Sequence, residues 1–344
     1  MAATDLKTLT PRRWLIPLSI LALLLILVSL IAFYMPVDPF AGLFGRISQP
    51  RTDDILFKVR LPRILAAAVV GGSLGACGVI LQALLRNPLA YPHILGISGG
   101  AAVGGVAARI FGFSVIAAGG MTIPCGAAAA FGTALATTFF VYLTARNRGR
   151  LEPVTLILVG VVFNAFAGAT ILFLFAVADM REARGILFWM VGSLDFINID
   201  LFRWAASIAL IGVCSFIPLA RSLNILTLGD EAAASLGVRV EKVRILAFVG
   251  TSLVVGAVVS FCGMIGFVGL IIPHLFRLLI GTDHRLLLPA SFLGGAVFLV
   301  GADLISRVIL FPTQLPVGII TAFCGGPFFI YLLKSHRRRT LNNV

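Results

Sequence analysis

Apolar residues in this chain gather into long runs separated by short polar stretches, and the runs have the length of a membrane crossing. A helix rises 1.5 Å per residue, so about 20 apolar residues span a hydrocarbon core. Segmented on that length, the sequence predicts ten spans, near residues 14–35, 62–85, 93–111, 114–144, 154–178, 201–220, 243–263, 265–280, 286–305 and 315–333. The seventh and eighth nearly fuse around Gly263 and Gly266. Between the second and third, Arg86-Asn-Pro-Leu-Ala-Tyr-Pro-His93 carries two prolines within five residues, which forbids a continuous helix. The first run, Trp14 to Met35, follows Arg12 and Arg13 as the core of a signal peptide would. Its apolar stretch is too long for one, and Tyr34-Met35-Pro36 offers no small-residue cleavage site, so it is expected to be a retained span.

Composition narrows the class. The 344 residues are 59% hydrophobic and 12% charged, with a mean hydropathy of +1.06. A soluble domain carries about 25% charged residues. A soluble enzyme, a disordered chain and a disulfide scaffold are excluded. An all-α polytopic membrane protein remains, a single transmembrane domain over 1–344 with polar segments at 1–13, 221–242 and 334–344. Cys77, Cys125, Cys214, Cys262 and Cys324 are odd in number, widely spaced and set in apolar runs. Neither a metal site nor a disulfide framework is expected of them, and buried small hydrophobes are.

The net charge of +13 would suggest nucleic acid in a soluble protein. Here, ten spans put both termini on one side, and that side receives 17 of the 27 lysines and arginines. With the acids counted, it carries +11 and the other side +2. The basic excess is therefore an orientation signal that puts both termini in the cytoplasm, and no nucleic acid is expected as a partner.

A weak repeat runs through the chain. Val69-Val70-Gly71, Cys77-Gly78, Ile80 and Pro88 recur 185 residues later as Val254-Val255-Gly256, Cys262-Gly263, Ile265 and Pro273. Arg63-Ile-Leu-Ala66 recurs as Arg244-Ile-Leu-Ala247, offset by 181. The matched segments are the second and seventh spans, which must cross in opposite directions, and inverted repeats mark transporters. Gly71 and Gly75, and Gly96, Gly100 and Gly104, stand four apart, a spacing that lets helices approach closely in lipid.

Acids avoid the span centres. Glu152, Asp179, Asp195, Asp200 and Asp283 fall in loops or at span ends, and Asp303 lies close to one. An ion-coupled carrier usually holds a carboxylate at mid-membrane, so that class is weakened although the repeat suits it equally well. No GxxxxGK[ST] occurs, so the chain cannot cradle ATP by a P-loop, and energy from another subunit is the alternative.

Three polar places carry candidate chemistry. After the sixth span, Asp230 and Glu231 start a predicted short helix whose positive end their charge complements. Ala232 to Ala234 extend it, and Gly237 ends it in the left-handed conformation. Such a helix suits docking into a groove on a partner; an ordinary capped loop helix fits the same residues. Arg60 and Arg63, around Pro62 at the mouth of the second span, face the outside with Arg307, one turn after Asp303. They either snorkel as interface anchors or grip the carboxylates of an external partner. The turn at Asn87 to Leu89 is either a gate or a plain turn. His93 and His274 stand alone, and no metal is expected at them. The tail from Lys334 to Arg339 is a topology anchor, with membrane lipid as its contact.

At these residues the chain resembles the FecCD family of permeases of type II ABC importers. The resemblance runs through RLPR at 60–63, NPLA at 87–90, LGISGGA at 95–101, LFWMVGSL at 187–194, LGDEAAASLGV at 228–238 and GMIGFVGLIIPH at 263–274. Asp303 with Arg307, LPVG at 315–318 and GGPFF at 325–329 complete it, over about residues 55–335.

The resemblance implies a homodimer of ten-helix subunits in a bacterial inner membrane, with two ATPase subunits below and a periplasmic substrate-binding protein above. ATP and Mg would be bound by the ATPase, with no cofactor on this chain. Leu228, Gly229, Asp230, Glu231, Ala232, Ala233, Leu236 and Gly237 match the coupling helix that seats in the ATPase. Arg60, Arg63 and Arg307 match outward arginines that pair with acids of the binding protein. Asn87, Pro88 and Leu89, with Pro153 and Val154 at the start of the fifth span, resemble the cytoplasmic gate. The implied cargo is a large metal chelate, a ferric siderophore or haem first and cobalamin next. Tyr91, where an acidic or small residue is common, and Gln314, in place of a glutamate before Leu-Pro-Val-Gly, depart from the family pattern.

Overall fold

The computed structural model describes residues 11–35, 55–112, 115–118, 121–147, 149–178, 180–195 and 197–341. Most of the 1–13 segment and the last three residues of the 334–344 tail therefore lie outside the described residues.

The chain folds as a helical bundle. Helix α1 (Pro11–Tyr34) is followed, after a π-helical turn at Leu56–Arg60, by α2 (Leu61–Leu84) and α3 (Ile97–Ile110). A hairpin of β1 (Val115–Ala118) and β2 (Met121–Pro124) leads into α4 (Cys125–Ala145). A second, two-residue hairpin, β3 (Arg146–Asn147) and β4 (Arg150–Leu151), leads into α5 (Pro153–Val177). Then come α6 (Met180–Val191), α7 (Ile199–Phe216), α8 (Ala220–Leu226) and α9 (Asp230–Ser235). The last four are α10 (Val240–Cys262), α11 (Val268–Ile280), α12 (His284–Val308) and α13 (Val317–Leu341).

Among the described residues, seven helices are long and apolar enough to cross a membrane, and α3, α11 and the first part of α13 are shorter apolar helices. Together these ten correspond one to one with the predicted spans. Two details differ. The fourth span begins at Cys125 instead of residue 114, because the apolar residues before it pair as β1 and β2. The expected burial of all five cysteines holds for Cys77 and Cys262, whereas Cys214 and Cys324 are exposed, lying on outward faces of α7 and α13.

Helix α2 is the centre of the bundle, with nearly its whole length buried. It packs most closely on α12, and glycine makes this possible. A Cβ at Gly71 would run into the Gly295 carbonyl, and one at Gly75 into that of Ser291. Without a hydrophobic drive between helices in lipid, such backbone-to-backbone packing holds the bundle together.

The two halves are built alike. In each, a long helix (α2, α10) breaks off before a short helix (α3, α11), the first break holding a short 3-10 turn at Pro92–Leu95. Both short helices start from a left-handed residue, Gly96 at φ +81° and Phe267 at φ +67°. Phe267 is not a glycine, so its left-handed backbone is strained and is held by its surroundings, including the Tyr91 ring stacked on it at 6.4 Å. This break separates the seventh and eighth spans that nearly fuse in the sequence.

Candidate functional site

Polar side chains concentrate at the two ends of α2, roughly 35 Å apart along a helix of this length.

At the first end, Arg63 is the hub. Its Nε donates to both carboxylate oxygens of Asp303, at 2.9 and 3.1 Å, and its Nη2 lies 3.0 Å from Asp195. Its Nη1 donates to Oε1 of Gln314 at 2.7 Å. Arg307 reaches the same Asp303 carboxylate at 3.3 Å. Arg63 is 5% and Asp303 1% exposed, so a guanidinium and a carboxylate are removed from water together, each neutralising the other. Arg60 donates to the backbone carbonyls of Phe33 and Met35 and so pins the end of α1. Of the three arginines expected to face outward, only Arg63 is fully buried, and Arg60 and Arg307 are partly exposed. Arg63 is an internal ion-pair hub, and Arg307 is largely folded back onto Asp303. Gln314, which departs from the family pattern, is one of the ligands of that hub. Asp195 and Gln314 were not identified as site residues, since nothing local in the sequence ties them to an arginine more than 100 positions away.

At the other end, α9 has the predicted form. It starts after Gly229 (φ +119°) and ends at Gly237 (φ +80°). Gly237 N–H bonds to the Ala234 carbonyl at 3.0 Å and Val238 N–H to that of Ala233 at 2.9 Å. This double closure is the Schellman arrangement, which requires a residue able to adopt positive φ. Ala233 is buried, while Glu231, Ala234 and Ser235 are exposed, and Leu228 and Leu236 on either side of the helix are 68% and 62% exposed. A small-residue helix flanked by two outward leucines presents an exposed apolar face.

Asp230 opens α9 and is held from two sides. Nη2 of Arg244, on the second turn of α10, donates to both of its oxygens at 2.8 Å, and Arg86 pairs with Oδ1. Arg86 also donates to the Leu226 carbonyl at 3.2 Å, and its own backbone is left-handed at φ +47°. It immediately precedes the Asn87–Leu89 turn, which Asn87 closes by accepting the Leu89 N–H at 2.9 Å. Arg244 also donates to the Leu151 carbonyl at 3.3 Å, and Glu241 accepts the Leu151 N–H at 3.0 Å. Leu151 lies two residues before Pro153, the first residue of α5, and Val154 beside it is exposed. The residues predicted for the docking helix and for both gate segments thus meet at one end, joined by Arg86 and Arg244. Neither arginine was singled out beforehand for this role; Arg244 was visible only as a member of the repeat.

Tyr91 follows the turn and reaches inward, its ring stacked between His93 and Phe267. Burial pushes its phenol above the ordinary tyrosine range, so it stays neutral. Asn164 of α5 donates to the His93 carbonyl at 2.7 Å and ties the 3-10 turn at Pro92–Leu95 to that helix.

Comparison with known proteins gives consistent likenesses. The profile described as the FecCD transport family matches residues 18–335. The cobalamin import system permease protein BtuC of Halobacterium salinarum is 43% identical over 85% of this chain and 77% of its own length. The hemin transport system permease protein HmuU of Yersinia pestis is 38% identical, covering 83% of this chain and 84% of its own. An uncharacterized ABC transporter permease protein of Bacillus subtilis, YvrB, is 41% identical over 87% and 84%. Among solved structures, an inward-facing transporter assigned to the metal-chelate ABC type superposes with a TM-score of 0.81 at 32% identity, over 93% of this chain and 99% of that one.

Proposed function

The chain belongs to the FecCD transport family, and from that premise we propose that it is the permease subunit of an ATP-driven importer for a large metal chelate. Its ten membrane helices with inverted halves form the type II ABC-importer permease fold, in a multi-pass membrane protein. The relatives named above carry cobalamin and hemin in their names, both metal tetrapyrroles. That shifts the proposed cargo toward haem and cobalamin, with a ferric siderophore after them.

The observation that carries the reading is α9. A short helix with two outward leucines has no use inside the bundle and suits a partner's groove, here that of an ATPase subunit binding ATP and Mg. Two such ATPase subunits would serve a homodimer. In that assembly the exposed apolar face of α5 would meet the second copy, and the pathway would run between them. Both termini and α9 would lie in the cytoplasm of a bacterial cell, with the inner membrane around the helices, as the distribution of lysine and arginine supports. The Asn87–Leu89 turn and the start of α5 at Pro153 and Val154 would then be the cytoplasmic gate. A periplasmic binding protein would dock at the other end, where Arg60 and the edge of Arg307 offer positive charge and Arg63 holds the surface in shape.

Uptake into vesicles tests this. Complexes of the permease with its ATPase and binding protein should accumulate haem or cobalamin only with ATP inside the ATPase compartment. Uptake driven by an ion gradient with no ATPase present would overturn the proposal and favour an ion-coupled carrier.

A further inference from the structure

We propose that Arg86, Asp230 and Arg244 form a polar latch through which a movement of α9 reaches both gate segments at once. The inference rests on the proposed function and assigns positioning residues to it. Its basis is the connectivity of one carboxylate. Asp230 is the first residue of α9 and has two guanidinium partners. One belongs to the residue before the Asn87–Leu89 turn. The other, through its second amino group, holds the Leu151 carbonyl just before α5. The peptide at Leu151 is gripped on both sides, since its N–H is taken by Glu241 on the same end of α10.

The burial of the parts assigns them different duties. The Arg244 side chain is 6% exposed and anchored in the bundle, whereas that of Asp230 is 45% and that of Arg86 37% exposed. Arg244 is thus the fixed post, and Arg86 and Asp230 are the parts free to shift at the surface. The left-handed backbone of Arg86 fits this picture. That backbone closes the end of α2, with the Arg86 N–H bonded to the Ala83 carbonyl at 3.3 Å and the Asn87 N–H to that of Gln82 at 3.2 Å, while the Arg86 side chain reaches Asp230 of α9 and the Leu226 carbonyl of α8. Displacing α9 would pull on the Arg86 side chain and so on the capped end of α2 from which the turn departs. Displacement would also change the bond between Arg244 and Asp230, leaving the guanidinium to the Leu151 carbonyl alone. Two segments far apart in sequence would then respond together, as a gate must.

The test uses the whole complex in vesicles, measuring cargo moved per ATP hydrolysed, retention of the ATPase on the purified permease, and thiol labelling of cysteines placed at Leu89 and Val154. The labelling background replaces Cys125, Cys214 and Cys324 by serine. In the parent complex, ATP should change labelling at both sites. Arg86→Ala should keep the ATPase bound, lower cargo per ATP at least tenfold and abolish the ATP response at position 89 while leaving that at 154. Asp230→Asn should abolish both responses, and Arg86→Lys should restore at least half of the transport. Unchanged cargo per ATP in Arg86→Ala, or equal loss at both positions, would overturn the latch. If instead the parent complex fails to retain the ATPase or to move cargo, the underlying function is wrong and the latch falls with it.

Discussion

Arg63 and Arg244 hold matching places in the two halves of the chain, each 5% exposed and each closed on a carboxylate, at opposite ends of the bundle. A buried guanidinium is tolerated only when paired and hydrogen-bonded, and the acid comes from a different element in each case, Asp303 of α12 for Arg63 and Asp230 of α9 for Arg244. The two acids differ in a way that suits different duties. Asp303 sits 1% exposed within the long helix α12, while Asp230 stands half in solvent on a six-residue helix. One clamp is fixed, and the other is attached to an element with few neighbours of its own. Two repeated arginines thereby sit in clamps of different burial, one closed inside the bundle and one open to solvent on its acidic side.

Removing Asp303 strands Arg63 without its main counter-charge. Asp303→Ala should destabilise the permease by about 3–5 kcal/mol, the usual cost of an unpaired buried charge. An apolar pair, Arg63→Met with Asp303→Leu, should recover most of that loss. Thermal unfolding of the detergent-solubilised protein measures both. Equal stability of Asp303→Ala and the parent would mean that the pair is wet and contributes little.

The sequence made the bundle legible and the clamps only partly so. Length and apolarity are local properties, so ten segments could be counted without knowing how they pack. The hairpin at 115–124 was absorbed into the fourth span because its residues are as apolar as a helix and give no local contrast. The capped form of α9 was legible for the opposite reason, since Asp, Glu, three alanines and a closing glycine all act within one short stretch. Arg63 was read as facing outward because its partners, Asp195, Asp303 and Gln314, lie far along the chain. Only the packing of α2 on α12, set by Gly71, Gly75 and Gly295, brings Asp303 to it.

That packing gives a sharp contrast between glycines. Gly71→Ala puts a methyl group into the Gly295 backbone, which cannot yield as a flexible side chain would. It should cost about 1–3 kcal/mol by overpacking. Gly301→Ala on α12 meets open space, and helix propensity should make it neutral or up to about 1 kcal/mol stabilising. Comparable melting temperatures for the two variants would show that α2 and α12 can separate without loss.

At α9, docking and shape can be disturbed separately. Leu228→Asp with Leu236→Asp removes the apolar face and should reduce the amount of ATPase retained at least tenfold. Gly237→Val forces a β-branched residue to φ +80° and should unwind the end of the helix. Together with Glu231→Ala it should detach or uncouple the ATPase. Pull-down of the ATPase and ATP-dependent uptake read these effects. Full retention and full transport in all variants would leave α9 an ordinary loop helix.

Docking at the opposite end is best probed at Arg60, because reversing Arg63 would break the buried clamp and confuse folding with binding. Arg60 donates to backbone carbonyls and stands near Arg307 without pairing to Asp303, so Arg60→Glu breaks no ion pair of the clamp directly. It should weaken binding-protein affinity several-fold at low salt, with the difference shrinking as salt screens exposed charge. Affinity unchanged at every ionic strength would assign Arg60 solely to holding α1.

The face of α5 bears on the proposed homodimer. Val154, Leu158, Val162 and Phe166 recur every four residues and are all strongly exposed, so they form a stripe along one side of the helix. Lipid would cover such a stripe as readily as protein, and cross-linking distinguishes the two. If a second copy packs there, at least one cysteine placed along the stripe should form a disulfide-linked dimer in the membrane under mild oxidation. Leu143→Cys, exposed on the neighbouring α4, serves as the control and should not. Val162→Glu should then shift the purified permease from dimer to monomer by light scattering. Absence of cross-links at all four positions in a transport-competent complex would place the stripe against lipid and move the dimer interface to another helix.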